Sequence, residues 1–330
     1  MPPVFSKSRG QIQILESESD GHMKVIVEKE KIRTVNRRKK ISADAIYQYV
    51  LMGPTFLVMA LLTVVPVLYT FYNGLFYWNQ AIPNSRRYIG LGNYIKMFTD
   101  DSNFWIIMKN TATQVLGTVS FQVVLGILLA FLFSREVSRI KLARSLYMIP
   151  MMTTPVIIGV IWRLMLTPDF GIVNYLFTLV GLKGPDWFQS PALAMIAIII
   201  SDVWLSTPFV TIIVLAGIQS LPREPLESAK IDGATSFRSF IYVIMPLLAP
   251  VIWVAILFRL IDAFKRFDSI YIMTAGGPGN STETLNLYAY NNAFSYMDSG
   301  YSSALAMFLF ILIAMISVYT INKIQNSESA

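Results

Sequence analysis

The chain has 330 residues, 54% hydrophobic and only 14% charged, with a mean hydropathy of +0.53. A soluble domain carries about 25% charged residues, so the composition places the chain in the membrane class. Cysteine is absent and His22 is the single histidine, which excludes disulfide scaffolds, thiol nucleophiles, zinc clusters and histidine-centred triads. The net charge of +7 is read as the cationic excess of cytoplasmic loops in a polytopic protein, with no nucleic acid as partner.

In chain order, residues 1–46 hold no apolar run long enough for a signal-peptide core and end in Arg37-Arg38-Lys39-Lys40. They are expected to form a cytoplasmic tail. Residues 47–104 are expected to supply the first spanning helix and an external loop, 105–322 the transmembrane core, and 323–330 a cytoplasmic C-terminal tail. Six segments approach or exceed the roughly 20 apolar residues that a spanning helix needs. They are 49–76, 105–133, 145–166, 191–219, 246–273 and 301–322. Pro54, Pro66, Pro155, Pro208 and Pro250 fall inside them, which a bundle tolerates when neighbours satisfy the freed carbonyls. The expected fold is an all-α polytopic membrane protein with six transmembrane helices.

Lysines and arginines in the loops set the orientation. Arg135, Arg139, Lys141 and Arg144 follow the second segment, and Arg223, Lys230 and Arg238 follow the fourth. On the other side, 77–104 offsets Arg86, Arg87 and Lys96 with Asp100 and Asp101, 167–190 has only Lys183, and 274–300 has no basic residue. Both termini are therefore expected in the cytoplasm of a bacterial cell, with the chain multi-pass in its inner membrane.

The loop 220–246 is polar and long for a connection between two membrane helices, and long structured connections are more often functional. Pro225 suits a first helical turn. Leu226, Ala229 and Lys230 recur at helical spacing, and Gly233 comes where a left-handed stop is cheap. Thr235 and Ser236 are good N-caps for a second short helix that reaches Pro246. The pattern predicts a helix–turn–helix that projects into the cytoplasm, with small Ser228 and Ala229 suited to seating in a groove on another protein.

Glu227-Ser228-Ala229, then Gly233 after three residues and Val243-Ile244-Met245-Pro246 after nine more, resembles the EAA loop of ABC importer permeases. Ser228 stands for the middle Ala of that motif, Val243 for Ile and Met245 for Leu. The strings "YIGLGNY" (88–94), "NYLF" after Gly171 and "FDSIYIMTAGGPGNST" (267–282) are similar to the carbohydrate-uptake branch, the maltose-type and glycerol-phosphate-type permeases. The resemblance covers roughly 50–322. It implies the type I ABC importer permease fold, a heterodimer with a second homologous permease, two ATPase subunits and an external solute-binding protein. It also implies that Glu227, Ser228, Ala229, Asp232 and Gly233 couple the chain to the ATPase. No P-loop is present, since no Lys-Ser/Thr follows Gly276-Gly277-Pro278-Gly279. ATP and Mg are expected on the partner ATPase subunits, with no cofactor in this chain and no enzymatic activity of its own.

Charges within spanning segments are costly and functional by default. The fifth segment carries Arg259, Asp262 and Arg266 on one helical face, with Lys265 beside them. The bland reading is an Arg259–Asp262 pair that holds the bundle together, or snorkelling of Lys265 and Arg266; the other is a polar, net-positive wall of a translocation cavity. The fourth segment offers Asp202, Trp204, Ser206, Thr207 and Phe209, with Pro208 among them. Aromatic rings beside polar groups suit a sugar. The resemblance directs the substrate path to Asp202, Ser206, Phe209, Asp262, Ala263 and Arg266, and Trp204 and Arg259 share the same stretches. Cations there, with arginine's bidentate pairing to carboxylate, point to an acidic saccharide such as a uronate oligosaccharide of the alginate or pectate type. The alternative is a neutral oligosaccharide or a glycerol-phosphate-like solute. Met151, Thr153 and Thr154 are read as packing, with path lining as the second reading. A membrane enzyme would need clustered acids, a histidine or a metal motif, and an autonomous channel would have no use for the EAA spacing.

Overall fold

The computed structural model describes residues 43–134 and 138–328. The basic tail with His22 and Arg37–Lys40, Arg135, the side chains of Arg139 and Lys141, and the last two residues lie outside the described residues. The chain divides into a unit that ends at Met59 and a unit that begins at Ala60. The division falls inside the first helix, α1 (Ala43–Gly74). From Val50 to Met59 every side chain of the first unit is exposed, as apolar residues are when lipid is their solvent.

In the second unit two strands of two residues each, β1 (Phe76–Tyr77) and β2 (Arg87–Tyr88), pair antiparallel, Phe76 opposite Tyr88. A short α2 (Gly92–Thr99) leads into α3 (Ser102–Phe133). Asp101 caps α3 by accepting from the Asn103 N–H at 3.0 Å. α4 (Ser138–Tyr147) follows, and Arg144 donates to the Phe133 carbonyl at 2.7 Å, which satisfies an orphan acceptor at the end of α3.

Among the described residues five helical runs are long and apolar enough to span a bilayer: α1 from Val50, α3, α7 (Pro191–Ser220), the run Ser236–Phe264, and α13 (Ser299–Glu328). The expected third span, 145–166, is not one helix. α4 and its continuation to Met152 meet α5 (Pro155–Met165) at an angle of 100°. Thr154 precedes Pro155 and is extended at ψ 144°, the conformation a following proline imposes; Pro155 then begins α5 where its missing N–H costs nothing.

The expected fifth span also ends early. α10 (Met245–Phe264) stops at Phe264, and α11 (Asp268–Met273) is a separate short helix. Asn286 donates to the Lys265 carbonyl at 2.9 Å and takes up an acceptor freed at that end. At its other end α10 has no break. α8 (Arg223–Ile231) is followed by α9 (Ser236–Ser239), which passes through one π-turn at Phe240–Ile244 into α10. Pro246 has no N–H for its i−4 carbonyl and its ring crowds that carbonyl, and the single π-turn just before it is the rare bulge form that interrupts an α-helix without ending it. The remaining elements are α6 (Ile172–Leu179) and α12 (Leu285–Phe294).

Among the described residues the two largest apolar clusters of the second unit join its helices. One joins Met97 of α2, Phe104 and Ile107 of α3, Leu285 of α12 and Leu305 of α13. The other joins Ile127 and Ala130 of α3, Val210 and Val214 of α7, and Leu248 of α10. α3 approaches α7 closely at Gly126, where a Cβ would lie 2.6 Å from Val210 Cγ1. Small residues permit this spacing between membrane helices, whose association relies on close packing. α3 also turns an uninterrupted polar stripe inward: Thr111, Gln114, Thr118 and Gln122 are all buried and recur at i+3 and i+4, on one face.

Candidate functional site

A cavity of about 430 Å³ opens between α7, α10 and the bend before α5. Ser206 and Phe209 contribute from α7, and Arg259 and Asp262 from α10, with Lys265 and Arg266 just beyond its end. Met151, Thr153 and Pro155 close the side formed by the bend. Phe209 and Phe258 present two rings to it, edge to face at 6.1 Å. On α7 the cavity residues Ser206 and Phe209 lie about 22–27 Å from Pro191, at 1.5 Å per residue, well inside the span.

The charged residues form one network. Arg266 Nη2 lies 2.6 Å from Asp202 Oδ1 and 3.2 Å from Asp262 Oδ2. Arg259 Nη1 lies 2.8 Å from the same Asp262 oxygen. Behind the wall, Arg259 Nε donates to Gln122 Oε1 of α3 at 2.8 Å, and Gln122 Nε2 donates to the Asp202 carbonyl at 3.0 Å. Ser206 Oγ accepts from Arg266 at 3.3 Å. The two arginines and Asp202 are buried, whereas the Asp262 side chain keeps 51% of its surface and Lys265 is exposed. Three cations stand against two carboxylates, which leaves one positive charge in excess. Among the described residues Lys265 is the cation of this group in no ion pair.

The structure thus brings Ser206, Phe209, Arg259, Asp262 and Arg266 to one cavity and sets Asp202 directly behind Arg266. It does not bring Trp204 or Ala263 there. Trp204 is 44% exposed and meets the Trp162 ring edge-on at 6.1 Å, away from the cavity. Ala263 is buried against Val115 and Val119 of α3, because one helical position separates it from Asp262 and turns it to the other side. Met151 and Thr153, read first as packing, line the cavity, while Thr154 forms the N-cap position of α5. Gln122 was missed. Its signal was legible as the polar spacing 114, 118, 122 within an apolar segment.

The loop residues form a second candidate site at the end of α7 opposite its first turn. α8 and α9 have no buried residue. Gly233 has φ +73°, and the Gly233 and Ala234 N–H groups donate to the Lys230 and Ala229 carbonyls. These two bonds make a Schellman stop, for which glycine is the ordinary residue. The Thr235 hydroxyl then accepts from the Arg238 N–H at 3.3 Å and caps α9. Glu227, Ser228, Asp232 and Gly233 are exposed and Ala229 is half-buried. Beside them Ile231, Phe237 and Tyr242 also stand in the open, an apolar exposure that a polar connection does not need.

Residues 122–328 match the model of the binding-protein-dependent transport system inner membrane component family. The chain is 34% identical over 285 residues to the sulfoquinovosyl glycerol transport system permease protein SmoG of Agrobacterium fabrum, covering 86% of this chain and 92% of the relative. It is 33% identical over 270 residues to the trehalose/maltose transport system permease protein MalF of Thermococcus litoralis, covering 82% and 90%. Its fold matches a chain in the crystal structure of a bacterial ABC transporter involved in the import of the acidic polysaccharide alginate, with a TM-score of 0.75 at 22% identity over 87% of this chain and 98% of that one. The matched stretch contains the polar stripe's Gln122, the cavity residues of α7 and α10, and the exposed loop between them, and with it the chain belongs to the family of binding-protein-dependent inner membrane transport permeases.

Proposed function

We propose that this chain is the permease subunit of an ATP-driven, binding-protein-dependent importer that carries an acidic saccharide through the α7–α10 cavity. The observation that carries the reading is the one-charge cationic excess of the cavity wall, where buried Arg259 and Arg266 share Asp262, exposed Lys265 stands just past the end of α10, and two aromatic rings lie beside them. An anionic sugar offsets that excess while its ring faces meet Phe209 and Phe258. The sulfo-sugar named for the Agrobacterium relative and the alginate named for the structural neighbour are anionic solutes of the same kind. In this reading both termini and the α8–α9 loop are cytoplasmic, as the basic loops favour. Glu227, Ser228, Ala229, Asp232 and Gly233 seat the loop on a separate ATPase subunit that binds ATP and Mg. A second permease chain completes the path, and an external binding protein delivers the solute.

A specific observation favours a neutral oligosaccharide as second reading. Both arginines are already neutralised by carboxylates, and the Thermococcus relative is named for trehalose and maltose. Proteoliposomes that contain the co-purified complex decide between the two. Binding-protein-dependent, ATP-dependent uptake of trigalacturonate in preference to galactotriose is expected. Preference for galactotriose, or uptake without ATP, overturns the proposal.

A further inference from the structure

Asp262 differs from the other members of the charge network in one respect. Each arginine has a fixed buried partner of its own: Gln122 of α3 holds Arg259 at 2.8 Å, and Asp202 of α7 holds Arg266 at 2.6 Å. Both then share Asp262, through a single oxygen, Oδ2. That carboxylate is the half-exposed member, at the cavity surface, while Arg259 and Arg266 retain 5% and 7% of their side-chain surface. Rotation of the Asp262 side chain away from the wall leaves both guanidinium groups held by Gln122 and Asp202. Arg259 Nη1 and Arg266 Nη2 then point at a common acceptor position in the cavity that exposed Lys265 also lines. Arg259 Nη2 and Arg266 Nε have no hydrogen-bond partner in the structure, so the pair has donor capacity beyond what Asp262 uses.

We infer that Asp262 is an internal stand-in for the substrate's carboxylate, and that an anionic saccharide takes its place between Arg259 and Arg266. This inference rests on the acidic-saccharide reading and adds how the anion is seated. An exchange of one carboxylate for another keeps both buried cations paired throughout. A neutral sugar cannot make the exchange, because it would leave the buried Arg259 guanidinium with neutral Gln122 and no counter-charge, while Arg266 kept only Asp202. Asp262 therefore selects for anions and at the same time competes with them. The fraction of molecules with the seat open scales the apparent affinity.

The test is equilibrium binding of trigalacturonate and of galactotriose to the full-length chain, co-purified with its native subunits in lipid nanodiscs. Three forms are compared: wild type, Asp262→Asn and Asp262→Glu. Loss of the competing charge is expected to tighten trigalacturonate binding about tenfold, the gain when a seat open in roughly a tenth of molecules becomes always open. Galactotriose binding should change less than about twofold by the same arithmetic, and Asp262→Glu should return uronate binding to the wild-type value. A purely structural Asp262 gives the opposite sign, with weaker binding in Asp262→Asn. Should that variant not fold, Asp262→Cys is the only cysteine in the chain and is read before and after modification with a negatively charged methanethiosulfonate. Tighter uronate binding before modification than after supports the inference. Uronate-preferring wild type with no tightening in Asp262→Asn, or in unmodified Asp262→Cys, overturns the stand-in alone. A wild type that prefers galactotriose overturns both the stand-in and the acidic reading.

Discussion

Arg266, just past the end of α10, puts its Nη2 2.6 Å from Asp202 Oδ1 in the middle of α7, with both side chains almost fully withdrawn from the surface. Neither charge is tolerable there alone. Replacing Asp202 with Ala removes the buried carboxylate partner of Arg266 and leaves it only the longer, half-exposed contact to Asp262, and the loss is expected to be about 3 kcal/mol. Replacing both residues, Asp202→Leu with Arg266→Met, should recover much of that stability, because apolar substitutes for a buried pair are often neutral. Thermal melting of the detergent-purified complex checks the order; a double variant less stable than Asp202→Ala would refute it.

The stop after α8 gives a separate expectation. Gly233 sits at φ +73° with nothing within 4 Å of where a Cβ would point, so a side chain there meets strain and no clash. That strain is about 1–2 kcal/mol for an ordinary residue, small against membrane insertion. Gly233→Asp should reach the membrane at wild-type levels while ATP hydrolysis loses its link to uptake. Normal substrate-stimulated ATPase activity in the purified variant complex would count against the coupling role.

The α3–α7 contact has no such slack. A Cβ on Gly126 would stand 2.6 Å and 2.7 Å from Val210 Cγ1 and Cβ, and 3.4 Å from the Thr211 backbone nitrogen. Gly126→Ala is expected to cost about 1–3 kcal/mol through overpacking, while Gly53→Ala, with open space around it, should leave the melting temperature unchanged. Equal melting of the two variants would show that α3 and α7 do not meet as described.

Glu283 supplies a pH dependence outside the spans. It is buried before α12, with its Oε1 accepting from Asn291 Nδ2 at 2.6 Å. Burial pushes its carboxyl above the ordinary range; the Asn291 hydrogen bond pulls the other way, and the charge of Asp101 adds to the rise. A raised folded value means that the stabilising contribution is complete below the ordinary carboxylate pKa and is lost as pH climbs through the raised one. The melting temperature should therefore fall over that window. Glu283→Gln, which keeps the shape and removes the titration, should flatten the dependence. An identical slope in the variant would assign it to another group.

Much of the architecture was legible in the residues because its causes are local. Bilayer thickness selects apolar runs of a certain length, and α1, α3, α7 and α13 lie where those runs are. Loop charge and turn chemistry are local too, so Gly233 and Thr235 could be named as stop and cap before any coordinates. The bend at Pro155 escaped, since a hydropathy run does not register direction and a proline inside a span is compatible with a kinked helix or a broken one. The early end of α10 escaped for a related reason: Phe267, Ile270, Tyr271 and Met273 extend the apolar run beyond the point where Asn286 takes up the freed carbonyl.

For the site, sequence alone determined which residues carry costly charge in the membrane, and on which helix each one lies. Only the tertiary structure decided how they pair. Rotation and depth of α3, α7 and α10 put Gln122 and Asp202 behind the wall, turn Ala263 and Trp204 away from it, and leave Asp262 half-exposed between two arginines. The physical reason is that a buried charge must be answered within about 4 Å, whereas sequence spacing says which residues share a helical face and not what that face will meet.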